Sequence, residues 1–283
     1  MKKSFLFFWL LIAIDICYSQ DINTILMHAT YKIEMVDENK IKYKGTCFII
    51  GRPSTKIQNL SYYVLVTAKH NLTDKYGDYI IINLRKKLSD TSYGSFEYPL
   101  KIKENGINKW TSHPDTSVDV AVMYVALPDS IDIDILPIHY LAKEDYLKYI
   151  EFHTGDNVNL LGYPYGKNSP KYNFPILTSG KISSYPLFPA KNVKYYLIDI
   201  NSFPGNSGGP VYIYETGRSY AGEIHFDIIT FRIIGLLSGQ MYNENIYEFE
   251  DETITVKKLM NIHYIVPSVY ILESIELLPD LDL

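Results

Sequence analysis

Around Ser207 the chain reads Pro204-Gly205-Asn206-Ser207-Gly208-Gly209-Pro210. Glycines on both sides of one serine allow backbone angles that a side chain would forbid, so the Gly205 and Ser207 amides can converge on a single point. A point of that kind holds a developing oxyanion. A serine hydroxyl is a weak nucleophile at neutral pH; it needs a base to take its proton and an acid to hold that base in the right tautomer. Both types occur upstream, His70 in Ala68-Lys69-His70-Asn71-Leu72 and Asp119 in Asp119-Val120-Ala121-Val122-Met123-Tyr124-Val125. The glycine-rich run alone has the composition of a surface turn. With the histidine and the acid it reads as acyl transfer by a Ser, His and Asp set.

The elements that must position these groups are strands. Leu60 to Thr67 is rich in β-branched and aromatic residues and predicts a buried strand whose end delivers His70. Asp119 heads a second apolar run, just after the polar loop Ser112 to Ser117. Asp115, in that loop beside Pro114, is the competing acid; the apolar context favours Asp119. Many short strands with frequent turns predict an all-β class, and 283 residues at 47% hydrophobic can bury a large β core. No repeat and no low-complexity linker divides the chain, leaving one junction near residues 140–155.

The settings Thr67-Ala68-Lys69-His70, Asp119-Val120-Ala121-Val122 and Gly205-Asn206-Ser207-Gly208-Gly209-Pro210, in that order, resemble the chymotrypsin-fold serine proteases. The resemblance is closest to their bacterial trypsin-like branch, which includes the HtrA-type protease domain. Val158 to Gly166 is similar to that branch's glycine-proline turn, Leu177 to Ser184 to the strand after it, Ile233 to Gly239 to the substrate-pairing strand and Tyr264 to Ser268 to the entry of the terminal helix. The resemblance implies two six-stranded antiparallel β-barrels with a short C-terminal helix: an N-terminal barrel over about 30–140, a C-terminal barrel over about 155–266 and the helix over about 267–278. It implies a secreted serine endopeptidase with His70, Asp119 and Ser207 as catalytic residues and the Gly205 and Ser207 amides as oxyanion hole. Substrate would bind along Leu237, Ser238 and Gly239, with a pocket walled by residues 199–203 and 238–242 and its base near Asn201. A neutral Asn201 gives no reason to prefer a cationic side chain, and no histidine stands just before Ser238 as in glutamate-specific relatives. The expected preference is a small or apolar side chain.

Three departures from the family pattern matter. Asn206 stands where zymogens of the trypsin type carry an aspartate, so activation by ion pairing with a new N-terminus is not expected. Cys47 lies close to where the animal enzymes carry a cysteine bonded to one just after the catalytic histidine, and that partner position is Asn71. No PDZ-like region is expected after the protease segment.

Met1-Lys2-Lys3-Ser4 and the apolar run Phe5 to Ile14 have the charged start and short core of a secretory signal, with Cys17-Tyr18-Ser19 placing small residues at the cleavage positions. The run is interrupted by Asp15 and short for a span of about 20 residues. Cleavage near Ser19 predicts a secreted or periplasmic protein over 20–283 with no membrane insertion; it leaves Cys47 as the single cysteine and so no internal disulfide.

The formal charge is −5, and loss of Lys2, Lys3 and Asp15 takes it to −6. No basic stripe suggests nucleic acid, and the densest basic run, Arg85-Lys86-Lys87, reads as a solvated strand end. His28, His113, His139, His153, His225 and His263 lack metal-ligand spacing and read as surface or satisfied core residues, so no metal or cofactor is expected. Asn59-Leu60-Ser61 and Asn71-Leu72-Thr73 match the glycosylation pattern, although a glycan on Asn71 would crowd His70. The acidic run Asn243 to Glu252 reads either as a border of the specificity pocket or as a solvated hairpin. Two other readings stay open: a binding module that keeps the fold without turnover, and an esterase using the same three residues.

Overall fold

The computed structural model describes residues 22–37, 39–40, 42–73, 77–134, 136–248 and 253–281; the expected signal segment lies outside them. Helix α1 (Ile22–Ala29) leads into β1 (Thr30–Val36), β2 (Lys42–Pro53), β3 (Ser61–Thr67), β4 (Tyr79–Ser89) and β5 (Ser92–Lys101). The two-residue strands β6 (Lys103–Glu104), β7 (Ile107–Asn108) and β8 (Thr111–Ser112) follow, then β9 (Ala121–Tyr124) and β10 (Leu136–Pro137). Helix α2 (Glu144–Tyr149) spans the junction. The second unit holds β11 (Asn157–Gly162), β12 (Ile176–Ile182), helix α3 (Ala190–Val193), β13 (Tyr196–Ile200), β14 (Pro210–Tyr220), β15 (Glu223–Glu248), β16 (Thr253–Pro267) and helix α4 (Ser268–Glu276).

The all-β architecture of two units with a short terminal helix is the expected one. The second unit closes as a six-stranded barrel in the order β11-β12-β13-β16-β15-β14. The first differs in detail: its hydrogen-bonded path β5-β4-β1-β2-β3-β9-β8 is open, with β10 parallel to β2 as an eighth strand. The cause is visible in β5, which among the described residues pairs with β4 alone and buries only Leu100, so the outer part of the β4–β5 hairpin runs past the core instead of closing a ring. Helix α1 gave no signal in the sequence reading; it tucks Leu26 and Ala29 under the strands.

Three apolar clusters hold the chain together. One fills the first sheet around Ile33, Ile49, Leu65 and Ile82, one fills the barrel around Leu160, Ile198, Val211 and Ile265, and one joins the halves. The joining cluster packs Phe48, Val66, Val120 and Val122 of the first unit against Leu161, Tyr212, Leu236 and Val266 of the second, with Ile271 and Ile275 of α4. The strands that carry His70 and Asp119 therefore share buried apolar surface with the barrel that carries Ser207, at roughly 25 cal/mol per Å² buried.

Cys47 is free and fully buried in the core of the first sheet. Burial pushes its thiol well above the usual range, against a small opposing pull from Arg85. A thiolate is the reactive form, so Cys47 in the folded protein should not react with Ellman's reagent at pH 8 and should react once guanidinium unfolds it. Fast labelling of the folded protein would show that this part of the core opens.

Arg85 corrects the reading of Arg85-Lys86-Lys87 as solvated. Lys86 and Lys87 are exposed, but Arg85 is 0% exposed. Its guanidinium donates to the carbonyls of Met27 (2.9 Å), His28 (2.8 Å), Thr30 (3.1 Å) and Asn173 (3.0 Å) and lies 4.4 Å from the ring centres of both Tyr31 and Phe174. It thus fastens α1 and β1 to the turn before β12. The described part of the acidic run, residues 243–248, belongs to the outer part of β15 paired with β16, with Glu244 bonded to Lys257 at 3.0 Å. Among the described residues no helix is long and apolar enough to cross a membrane.

Candidate active site

Strand β3 ends at Thr67, and a single 3-10 turn over Lys69–Leu72 presents His70 from its end. His70 Nδ1 lies 2.7 Å from Asp119 Oδ2, and the His70 amide donates to Asp119 Oδ1 at 2.9 Å. This two-point contact fixes the imidazole relative to the carboxylate, leaving the His70 side chain 45% exposed and that of Asp119 18%. Burial pushes the Asp119 carboxyl up, but the hydrogen bond and charge of His70, the Ser238 hydroxyl and the His70 amide outweigh it and hold the group below its usual range. Val118 and Val120, both buried, anchor Asp119 from either side. Asp115 is engaged elsewhere: it takes hydrogen bonds from Ser117 and Lys194, which hold its carboxyl far below the usual range.

Ser207 sits in the turn before β14. Gly205 (φ +103°) and Gly208 (φ +86°) adopt backbone conformations that side chains avoid, and a Cβ on either would come within 2.3 Å or less of a backbone oxygen, of Tyr163 or of Thr46. Among the described residues, the amides of Gly205 and Ser207 have no protein acceptor, whereas those of Asn206, Gly208 and Gly209 bond to Phe203 O, Leu237 O and Asn206 O. Two unoccupied donors one residue apart suit a carbonyl oxygen that becomes negative. The Ser207 hydroxyl donates to Ser238 O at 3.4 Å and not to His70. Ser238, at a register shift in β15, touches both halves of the site: its own hydroxyl donates to Asp119 Oδ2 at 2.7 Å.

Several residues outside the sequence reading hold this arrangement. The Thr46 amide donates to Ser207 O (2.9 Å) and the Thr46 hydroxyl to Gly205 O (2.8 Å), so β2 of the first unit clamps the serine turn of the second. The Asn71 amide group donates to Ser207 O and to Thr67 Oγ1, each at 3.0 Å. Asn71 is buried and so occupied that it offers no glycan site, and the residue facing it is Gly45, not Cys47. Only the pairing of a short polar side chain after a histidine with a glycine strand could have signalled this.

Leu237, expected to pair with substrate, is already taken: its amide donates to Gly209 O (2.9 Å) and its carbonyl accepts the Gly208 amide (2.7 Å), so only from Ser238 onward does β15 have β16 on one side and, among the described residues, no strand on the other. That open side runs past Ser207. A cavity of about 210 Å³ borders Ser207, with Ser202 and Phe203 on one wall and Leu237, Gly239 and Gln240 on the other. Asn201 does not line it. Exposure alternates along β13, so Asn201 faces outward and Ser202 turns in. His263 of β16 lines it too and is buried, which corrects its reading as a surface or satisfied core residue; among the described residues neither ring nitrogen has a hydrogen-bond partner. None of the described residues of the acidic run reaches the cavity. Among the described residues no three His, Cys, Asp or Glu side chains converge as a metal site.

Two all-β units with a serine turn clamped between them define a chymotrypsin-fold serine protease. The chain belongs to the trypsin-like peptidase domain family, which it matches over residues 45–221. No curated protein matches it at a significant level. Solved structures similar to it include the Rv3671c protease from M. tuberculosis in its active form, at 17% identity and TM-score 0.46 over 90% of this chain and 82% of that one. Another is the protease Anisep from Arthrobacter nicotinovorans, at 14% identity and TM-score 0.47 over 88% of this chain and 94% of that one. Neither likeness carries a residue role over to this chain.

Proposed function

We propose that this chain is an exported serine endopeptidase in which Ser207 is the nucleophile, His70 the general base and then acid, and Asp119 the group that orients His70. The observation that carries this reading is the link made by Ser238, which joins the His70–Asp119 pair to a serine whose turn leaves two amides without acceptors. The Ser207 hydroxyl turns from Ser238 O toward His70 Nε2, a tightening common when substrate arrives. Oγ attacks the peptide carbonyl as its proton passes to Nε2, and the Gly205 and Ser207 amides bind the oxyanion. The C–N bond then breaks as His70 returns the proton to the leaving amine, and water repeats the cycle on the acyl-enzyme. Substrate backbone pairs with the open side of Ser238 and Gly239, just beyond the residue that the serine turn holds, which favours peptides over simple esters.

Replacing Ser238 by alanine should lower kcat by about 10-fold, the effect of losing one hydrogen bond to a charged group. Active-site-normalised kinetics check this, and an unchanged kcat would mean that His70 alone positions Asp119.

The test of the whole reading is the intact mass of the protein after a fluorophosphonate probe, beside a Ser207→Ala variant. One adduct on the first and none on the second is the expected result. A silent binding module draws on one observation, the Ser207 hydroxyl held by Ser238 O, and predicts no adduct on either. Export rests on the N-terminal sequence alone, and a mature mass beginning at Gln20 would support it.

A further inference from the structure

Among the described residues lining the cavity beside Ser207, His263 is the one titratable side chain that the proposed chemistry leaves unused. It stands on β16 between Ile198 of β13 and Gln240 of β15, and it is 2% exposed. Among the described residues neither Nδ1 nor Nε2 has a hydrogen-bond partner. Leaving a buried ring without partners is unfavourable, and a ligand entering the cavity removes that cost if it brings the matching chemistry.

The surroundings decide which chemistry matches. The backbone carbonyls of Asn261 and Ser202 lie near the ring and favour its protonated form without hydrogen-bond geometry toward it. Ser202 Oγ accepts the Asn206 amide group at 3.1 Å, so its own proton is free to point elsewhere. The Gln240 amide group is turned away, donating to Met260 O. No acidic side chain lines the cavity, and Asp199 of β13 is the one charged group whose field reaches His263. Burial is the stronger influence and holds the empty site's imidazole below its usual range.

An apolar side chain in this cavity would leave both ring nitrogens orphaned. A lysine or arginine would find no carboxylate to compensate its desolvation. A carboxylate meets N–H donors, turns the ring into an imidazolium through a charge-assisted hydrogen bond, and leaves the other N–H to the backbone carbonyls. We propose that His263 makes this cavity select an acidic side chain on the residue whose carbonyl is attacked, the acid and a proton entering together. The proposal rests on the reading of Ser207 as nucleophile.

The sign of the pH dependence follows. His263 is neutral in the empty site and protonated when the acid is bound, so raising the pH opposes uptake of acidic substrates and leaves neutral ones unaffected. Any pH dependence of the acyl-transfer step that both kinds share cancels in their ratio.

The experiment measures kcat/KM for fluorogenic peptides that differ only at that residue, carrying Glu, Asp, Gln, Leu or Lys, from pH 6 to 9. The wild-type chain is labelled in parallel with the fluorophosphonate probe. The better of Glu and Asp should exceed Gln and Leu by at least about 10-fold at the acidic end, with the ratio to Gln falling as pH rises. His263→Leu and His263→Gln should bring the ratio to within about 2-fold and flatten its pH dependence. A merely structural histidine would lower all substrates together and leave the ratio intact. Labelling with a preference for Leu or Lys, or for none, overturns this proposal and leaves the nucleophile standing. An acidic preference that survives in both variants removes His263 from the role. Should one variant fail to fold, the wild-type ratio and its slope still decide. Absence of both labelling and cleavage overturns the proposal together with the reading beneath it.

Discussion

An Asp119→Asn chain will hydrolyse peptides about 10⁴-fold more slowly than the wild type at neutral pH, with its fold unchanged. Asp119 Oδ2 accepts from His70 Nδ1 and from the Ser238 hydroxyl, while Oδ1 accepts from the His70 amide. An asparagine can keep the backbone contact, but the end that faces Nδ1 and Ser238 then presents an N–H₂. The imidazole answers with its other tautomer, carrying the proton on Nε2, where it can take none from Ser207. The imidazolium of the transition state also loses its counter-charge. The stability effect is smaller and pH-dependent. The folded carboxyl lies below its unfolded value of about 3.9, so its contribution is present at neutral pH and fades as pH falls through the folded value. Steady-state kinetics with active-site-normalised protein check the first claim, and a loss under 100-fold would remove Asp119 from the orienting role.

Arg85→Met should destabilise the fold by about 3–5 kcal/mol without touching the site. The guanidinium is the donor for the Met27 and His28 carbonyls at the end of α1 and for Thr30 O and Asn173 O. The Tyr163 hydroxyl lies 3.2 Å from Thr30 O and 3.0 Å from Asn173 O and has one proton to give, so the orphans are the two helix-end carbonyls and one of that pair. The flat cation also packs against Tyr31 and Phe174, contacts that a methionine replaces only in part. Thermal unfolding followed by circular dichroism should show a midpoint lower by about 10 °C. Arg85→Lys should recover little, since an ammonium cannot repeat the planar fork. A midpoint shift under about 3 °C would mean that the carbonyls find other donors.

The parts of the protein legible in its sequence are those whose signal is local. The run from Leu60 to Thr67 has the composition of a buried strand and is found as Ser61–Thr67, and glycine before and after Ser207 announces a turn that other residues cannot adopt. What stayed hidden depends on approach between distant segments. Thr46 and Asn71 look like ordinary strand and turn residues until the two units meet over Ser207. Arg85 carries a charge that normally points to water, and only the helix end and the Asn173 turn make its burial possible. His263 lies in an apolar strand, where a histidine usually finds a partner, and Asn201 falls on the outward beat of β13 while Ser202 takes the inward one.

The clamp from Thr46 and Asn71 onto the serine turn makes peptide hydrolysis a property of neither half by itself. The carbonyls of Gly205 and Ser207 are gripped from the first unit, which fixes the peptide planes on either side of the one that carries the Ser207 amide. If the halves part, the anion cradle loses its shape before either core has melted. A chain still being synthesised, or one beginning to come apart, would therefore carry the serine and the histidine as inert side chains, and destructive chemistry is confined to molecules whose two halves have already closed on each other.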